Sequence, residues 1–297
     1  MTGSFAKLLI AGLLGLAACN GGSTDPNDTD PNDDTGVDTD VDGDTAGEDP
    51  VRDNETSSTG DFAGDYIRDT RYDSLLIEVD YVTGHAPSAA ALSELTTTLE
   101  GLLNKPAGIT AMLDDEIPDQ GAPTWTTATT RDLEREYRDA YRDPESGEAV
   151  LYMLFVDGDY ENDEGNARIL GYAYQGSSIV IFEESVAAAS GGGILSTDIM
   201  PVVLKHEVGH HLGLVNLGTP MVEDHEDPDR PGHDVDEDCI MFFAAETSNV
   251  ADMMLGGAPD FDDACLNDIA ARRGDARARA HAAAHPARVP GRDARLR

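Results

Sequence analysis

The chain has 297 residues, with 58 Asp and Glu against 20 Lys and Arg, and a formal net charge of -38. That balance excludes a nucleic-acid binder working through a basic surface, because phosphate binding needs clustered Lys and Arg. It argues equally against attraction to anionic lipid headgroups, and it favours solubility without naming a function.

Lys7 gives the start of the chain a positive charge, and residues 8–18 form an apolar run too short to span a bilayer. The run ends in Leu16-Ala17-Ala18-Cys19, which resembles a bacterial lipobox. Residues 1–18 are therefore expected to be a lipoprotein signal peptide, with Cys19 carrying the lipid. An ordinary signal peptide beside an incidental cysteine is the alternative. No later segment reaches transmembrane length, so membrane attachment is expected to rest on the lipid alone. Asn20 is not the aspartate associated with inner-membrane retention. The expected location is exported and anchored in the cell envelope, at the outer membrane or cell surface.

Residues 19–64 are dominated by Asp, Thr, Gly, Asn and Pro. Such a segment buries too little apolar surface to offset ordering entropy, so it reads as a disordered acidic stalk. Within it Asp38, Asp40, Asp42, Gly43 and Asp49 match the spacing of an EF-hand-like calcium loop. Calcium is thus a second candidate ion, although no amphipathic helix flanks the loop and Asp is abundant here.

The folded domain is expected over residues 65–274. Residues 72–82 read as a strand, being aromatic, β-branched and partly alternating. Ser88 is placed to cap a helix to about Leu103 whose apolar side carries Ala91, Leu92, Leu95, Leu99 and Leu102. Residues 109–117 read as a short strand, 127–141 as a charged helix, 150–156 as a buried strand and 157–166 as an acidic loop. Two further strands, 169–174 and 178–182, are joined at Gln175-Gly176. Strands interleaved with helices predict a mixed sheet. Residues 275–297 form an Arg- and Ala-rich tail to which no function is assigned.

The chemistry concentrates on the next helix, predicted over residues 198–212. Ser196, Thr197 and Asp198 offer a cap, Pro201 suits the first turn, and Gly213 suits a left-handed stop. His206 and His210 are four residues apart, so both imidazoles project from one face and can grip a single ion. Zinc accepts imidazole nitrogen in a tetrahedral site. Glu207 is rotated away from the ligand face and can reach a water rather than the metal, as a general base. His211 lies about 100° from His210 and reads as a packing residue. The coincidence of two surface histidines and a glutamate is the bland alternative.

The segment His206-Glu207-Val208-Gly209-His210-His211-Leu212-Gly213-Leu214-Val215-Asn216 resembles the metzincin signature, His-Glu-x-x-His-x-x-Gly-x-x-His/Asp. Cys239-Ile240-Met241 is similar to the metzincin Met-turn, with Met241 as an apolar floor below the metal. The chain looks closest to bacterial lipoprotein metalloproteases of that type. The resemblance implies an α+β, metzincin-like fold: a twisted mixed five-stranded sheet with two main helices, and a loop-rich lower subdomain after Gly213. It also implies a zinc metalloendopeptidase that hydrolyses peptide bonds with Glu207 as base. A peptide or protein would lie extended along an edge strand such as 178–182.

The third-ligand position of the signature holds Asn216, and a neutral amide is a poor zinc ligand. A returning loop is expected to supply His225 instead, with Asn216 and His233 as alternatives. Carboxylates such as Asp224, Glu226 and Asp234 surround these histidines and could orient a ligand imidazole or hold calcium. Cys239 and Cys265 are expected to pair in an oxidising compartment, with a thiolate ligand at Cys239 as the competing reading. Tyr160, Tyr172 and Tyr174 could stabilise an oxyanion, although aromatic residues beside strands usually pack. Gly191-Gly192-Gly193 is a flexible connection. The rival function is a non-catalytic zinc- or calcium-binding surface lipoprotein. A monomer is expected, attached to the membrane through Cys19.

Overall fold

The structure, a computed structural model, describes residues 49–163 and 167–274. The signal peptide, Cys19, the calcium-like positions Asp38, Asp40, Asp42 and Gly43, and the 275–297 tail lie outside the described residues. No described helix is long and apolar enough to cross a membrane.

The fold begins earlier than residue 65. Helix α1 (Pro50–Thr56) is capped by Asp49, whose carboxylate accepts from the Val51 amide at 3.1 Å, and Pro50 sits where amide donors are unpaired anyway. Helix α2 (Ala63–Ile67) follows. Both belong to the packed domain, although residues 50–64 look like stalk by composition. Asn54 is buried, and its amide nitrogen donates to Glu134 Oε1 and Ser178 Oγ, each at 3.2 Å. Phe62 packs in the core against Gly176, where any side chain would strike its ring.

The elements then run β1 (Ser74–Val82), α3 (Ala89–Leu102), β2 (Gly108–Ile117), β3 (Thr124–Trp125), α4 (Thr127–Tyr137), β4 (Glu148–Val156), β5 (Asp159–Tyr160), β6 (Gly171–Tyr174) and β7 (Ser178–Phe182). Ser88 caps α3, accepting from the Ala91 amide at 3.1 Å. The charged helix α4 stops at Tyr137, short of the expected Tyr141. There Arg138 turns inward to bind Glu134 at 2.7 Å in a buried pair.

The main sheet has five strands in the order β2-β1-β4-β7-β6. β2, β1, β4 and β7 are parallel, and β6 returns antiparallel on β7. β1 and β4 are buried along nearly their whole length, as parallel strands covered on both faces must be. Two carboxylates on β1 survive burial by hydrogen bonding. Glu78 accepts from the Asp139 and Ala140 amides at 2.7 and 2.8 Å, and Asp80 accepts from Tyr152 Oη at 2.8 Å. Burial still raises their pKa values, to about 7 and about 6. The strand expected at the sheet edge, β7, is interior, flanked by β4 and β6. The edge beside it is β6, because the short Gln175-Gly176 connection folds that strand back onto β7.

After α5 (Glu183–Ala188) comes the long helix α6 (Ser196–His211), buried at every position from Ile199 to His211. A helix buried on all sides belongs in a core, and α6 packs in the cluster that also holds α3 and one face of the sheet. It starts two residues before the expected point, with Asp198 accepting from the Leu195 amide at 3.0 Å. Beyond Gly213 regular structure is sparse. A single 3₁₀ turn (Phe243–Glu246), α7 (Val250–Met253), a second short turn and α8 (Asp263–Arg273) form the loop-rich part.

Candidate metal centre

The site is built on the C-terminal half of α6. Gly213, at φ +69°, ends the helix in the left-handed region and turns the chain away. His206 is fully buried and donates through Nδ1 to the carbonyl of Ile240 at 2.7 Å. That bond fixes the tautomer and leaves the Nε2 lone pair facing His210, whose Nε2 is 3.1 Å away. The segment Cys239-Ile240-Met241 therefore supports the cluster in two ways. Ile240 orients His206, and Met241 sits fully buried directly under Gly209 of the helix.

Two more side chains complete the cluster. The ring of His233 lies face to face with that of His206 at 5.4 Å and edge-on to that of His210 at 5.0 Å. Glu246, from the 3₁₀ turn, brings Oε2 to 3.6 Å from His206 Nε2 and 3.9 Å from His210 Nε2, and Oε1 to 3.4 Å from His233 Nε2. The four residues offer donor atoms that all lie within 4.8 Å of one another. Tetrahedral ligands about 2.1 Å from a zinc ion sit about 3.4 Å apart. The separation between His206 and His210 and those to Glu246, 3.1 to 3.9 Å, bracket that value, so the donor set fits zinc. Three imidazoles and a carboxylate suit zinc far better than calcium, which takes oxygen ligands.

Glu207 is fully buried beside this cluster, next to Gly171 of β6. Neither of its oxygens makes a hydrogen bond of ordinary geometry. Burial, reinforced by the charge of Glu246, raises its pKa well above the usual carboxylate value, and the Ala173 backbone acts weakly the other way. The same burial, together with the neighbouring His206, holds His210 neutral, the form in which imidazole ligates a metal. Glu246 is held below its usual pKa. Burial opposes its charge, but hydrogen bonds to His206 and His233 outweigh that.

The expectation for the third histidine gives way to a different placement. His225 lies outside this cluster, with both ring nitrogens occupied. Nδ1 meets Asp234 at 2.6 Å and Nε2 meets Asp268 at 2.9 Å, both carboxylates being buried. Burial disfavours its charge, but the two acidic partners raise its pKa to about 10. The imidazole is thus an ion-paired post between the loop and α8. Asn216 is exposed at φ +67° and donates to Glu226 at 2.9 Å, which removes it from the metal as well. His233, the lesser alternative by sequence, is the histidine that the fold brings to His206 and His210.

The expected disulfide is absent among the described residues. Cys239 and Cys265 are buried free thiols with their sulfurs 3.7 Å apart. The hydrogen bond with the adjacent Cys239, reinforced by burial, pushes the Cys265 thiol far above its ordinary pKa. His211 packs the helix onto the sheet, donating to the Ser178 carbonyl at 2.9 Å, and burial lowers its pKa to about 4. Tyr160, Tyr172 and Tyr174 join the second apolar cluster with Phe182, apart from the cluster that contains α6. Tyr172 bonds Thr130 at 2.8 Å and Tyr160 bonds Thr127 at 3.0 Å, so the three tyrosines pack. Glu246 is the site residue that sequence reasoning did not find. It follows Met241 at no signature spacing, and in so acidic a chain one more glutamate carries no signal.

No family model matches the chain, and no curated protein matches it. Among solved structures the chain is similar to an archaemetzincin from Methanopyrus kandleri at 15% identity and a TM-score of 0.46, covering 68% of this chain and 97% of that one. It is also similar to a zinc-dependent peptidase from Methanocorpusculum labreanum at 16% identity and a TM-score of 0.42, covering 65% of this chain and 99% of that one.

Proposed function

We propose that the protein is a zinc-dependent peptidase in which His206, His210 and His233 hold the ion and Glu207 is the general base. The observation that carries this reading is the convergence of three imidazoles, with donor atoms that all lie within 4.8 Å of one another, beside a buried carboxylate whose oxygens make no hydrogen bond of ordinary geometry. A site built only to store metal has no use for that carboxylate. When bound, zinc polarises a carbonyl and makes a water acidic near neutral pH. Glu207 accepts that proton. Its raised affinity for a proton, a consequence of burial, suits a base that must afterwards hand the proton to the leaving amine. His206 is held in register by Ile240, so that ligand cannot rotate as charge develops.

The substrate class is a peptide or protein, bound extended along β6 rather than along β7. An edge strand offers unpaired backbone groups, and Gly171 and Ala173 of β6 lie beside Glu207. Cleavage within a chain, as an endopeptidase, follows from an open edge that does not require a terminus. Export and anchoring at the outer membrane or cell surface rest on the lipobox-like end at Cys19.

The test is Glu207→Gln in zinc-loaded protein against a broad peptide library. Cleavage should fall by at least about 10²-fold with zinc still bound stoichiometrically. If the wild-type zinc protein cuts nothing, the peptidase reading is wrong and a zinc-binding surface protein replaces it.

A further inference from the structure

We propose that Glu246 is a fourth protein ligand that closes the metal site at rest, so that the site opens only when this carboxylate withdraws. The proposal rests on the three-histidine centre described above and adds a regulation of it. A catalytic zinc has three protein ligands and keeps one position for water, whereas four protein ligands make a closed site. Here the fourth position has a candidate already in place. Glu246 reaches all three histidines, at 3.4 to 3.9 Å. These are the separations expected between ligands of one tetrahedral ion, about 3.4 Å.

The placement of Glu246 also provides a route to opening. Its backbone is tied to the segment leading into β6: the Leu170 amide donates to the Glu246 carbonyl at 2.8 Å, and Ile169 bridges Thr247 antiparallel. Its side chain is about one fifth exposed, whereas His206 and Glu207 are sealed. A peptide pairing with β6 would press on the very turn that carries Glu246. Withdrawal of its carboxylate would leave the fourth position for the water that Glu207 serves.

The experiment uses the full-length protein loaded with cobalt(II), whose visible absorption reports coordination. A site with an open position holds a water that ionises near pH 7, and its spectrum changes there. The closed site has no such water. The wild-type spectrum should therefore stay constant from about pH 6 to 9, and Glu246→Ala and Glu246→Gln should each show a transition near pH 7. A Glu207→Gln background removes the neighbouring carboxylate from the titration. If wild type shows the same transition as the variants, Glu246 is not a ligand and the proposal falls while the three-histidine site stands. If His206→Ala still binds cobalt with the wild-type spectrum, the metal centre is misplaced and both readings fall. Wild-type protein alone gives the decisive titration should a variant misfold.

Discussion

Met241 packs its sulfur against the bare Cα of Gly209, filling the space that a side chain at that position would need. Two effects compete when Gly209 becomes Ala. Helix propensity favours Ala by about 1 kcal/mol in a helix interior. Overpacking a tight core costs about 1–3 kcal/mol, and the overlap with Met241 is with a fully buried sulfur that cannot move outward. Overpacking should win. Gly209→Ala is expected to lower stability in urea titration and to weaken metal binding in competition with a chelator. An alanine variant as stable as wild type would show that Met241 is not seated under the helix.

Exchanging single histidines separates the two clusters. His233→Ala should lose stoichiometric zinc. His225→Ala should retain zinc and lose stability instead, because Asp234 and Asp268 would be left as buried carboxylates without a cation. Breaking such a pair costs about 3–5 kcal/mol when it is fully buried. Metal analysis and thermal unfolding on the two variants check this, and loss of zinc from His225→Ala would restore the sequence-based assignment.

The His225 post also has a pH signature. Its folded pKa, about 10, is raised above the usual histidine value of 6.5. Its contribution is therefore complete below about pH 6.5 and disappears as pH climbs toward 10. Asp234 is shifted down, so its part is present above its ordinary value of 3.8 and lost as pH falls below it. The stability difference between wild type and His225→Asn should be greatest between those limits and shrink steadily above pH 6.5. A difference that grows toward pH 9 would contradict the ion-paired arrangement.

Metal removal should destabilise the domain rather than simply inactivate it. A ligand at 1,000 times its dissociation constant adds about 4 kcal/mol to folding. Chelation is expected to lower the melting temperature, and added zinc should restore it while added calcium should not. Equal rescue by calcium would point to oxygen ligands and away from the histidines.

The helix signature was legible because its chemistry is local. His206, Glu207, His210 and Gly213 are related by the helix itself, so spacing alone placed them. The interleaved strands were legible for the same reason, through runs of buried residues. What failed was everything decided by chain return. His225 and His233 are eight positions apart in one acidic loop, and no periodicity says which faces the helix. That choice is made by Asp268 on α8, which claims His225 from across the fold. The edge strand was misjudged because pairing order is a property of the sheet, not of a strand. Residues 50–64 read as stalk because their anchors, Asn54 and Phe62, are single residues in a polar background, and their partners are Glu134, Ser178 and Gly176.

The ligands of the proposed centre come from positions 206 and 210 on one helix and from 233 and 246 on a stretch with almost no regular structure. An ion held by all of them is a cross-link between a preformed rod and an otherwise loosely self-supporting tether. Closing a loop of this length costs entropy that grows only slowly with its size, and a single metal contact can offset much of it. Cys239 in this stretch is not bridged to Cys265 on α8, so the ion would be its principal covalent-like clasp. Proteases added to metal-free protein should accordingly nick residues 214–245 first and leave the sheet and α6 as an intact fragment.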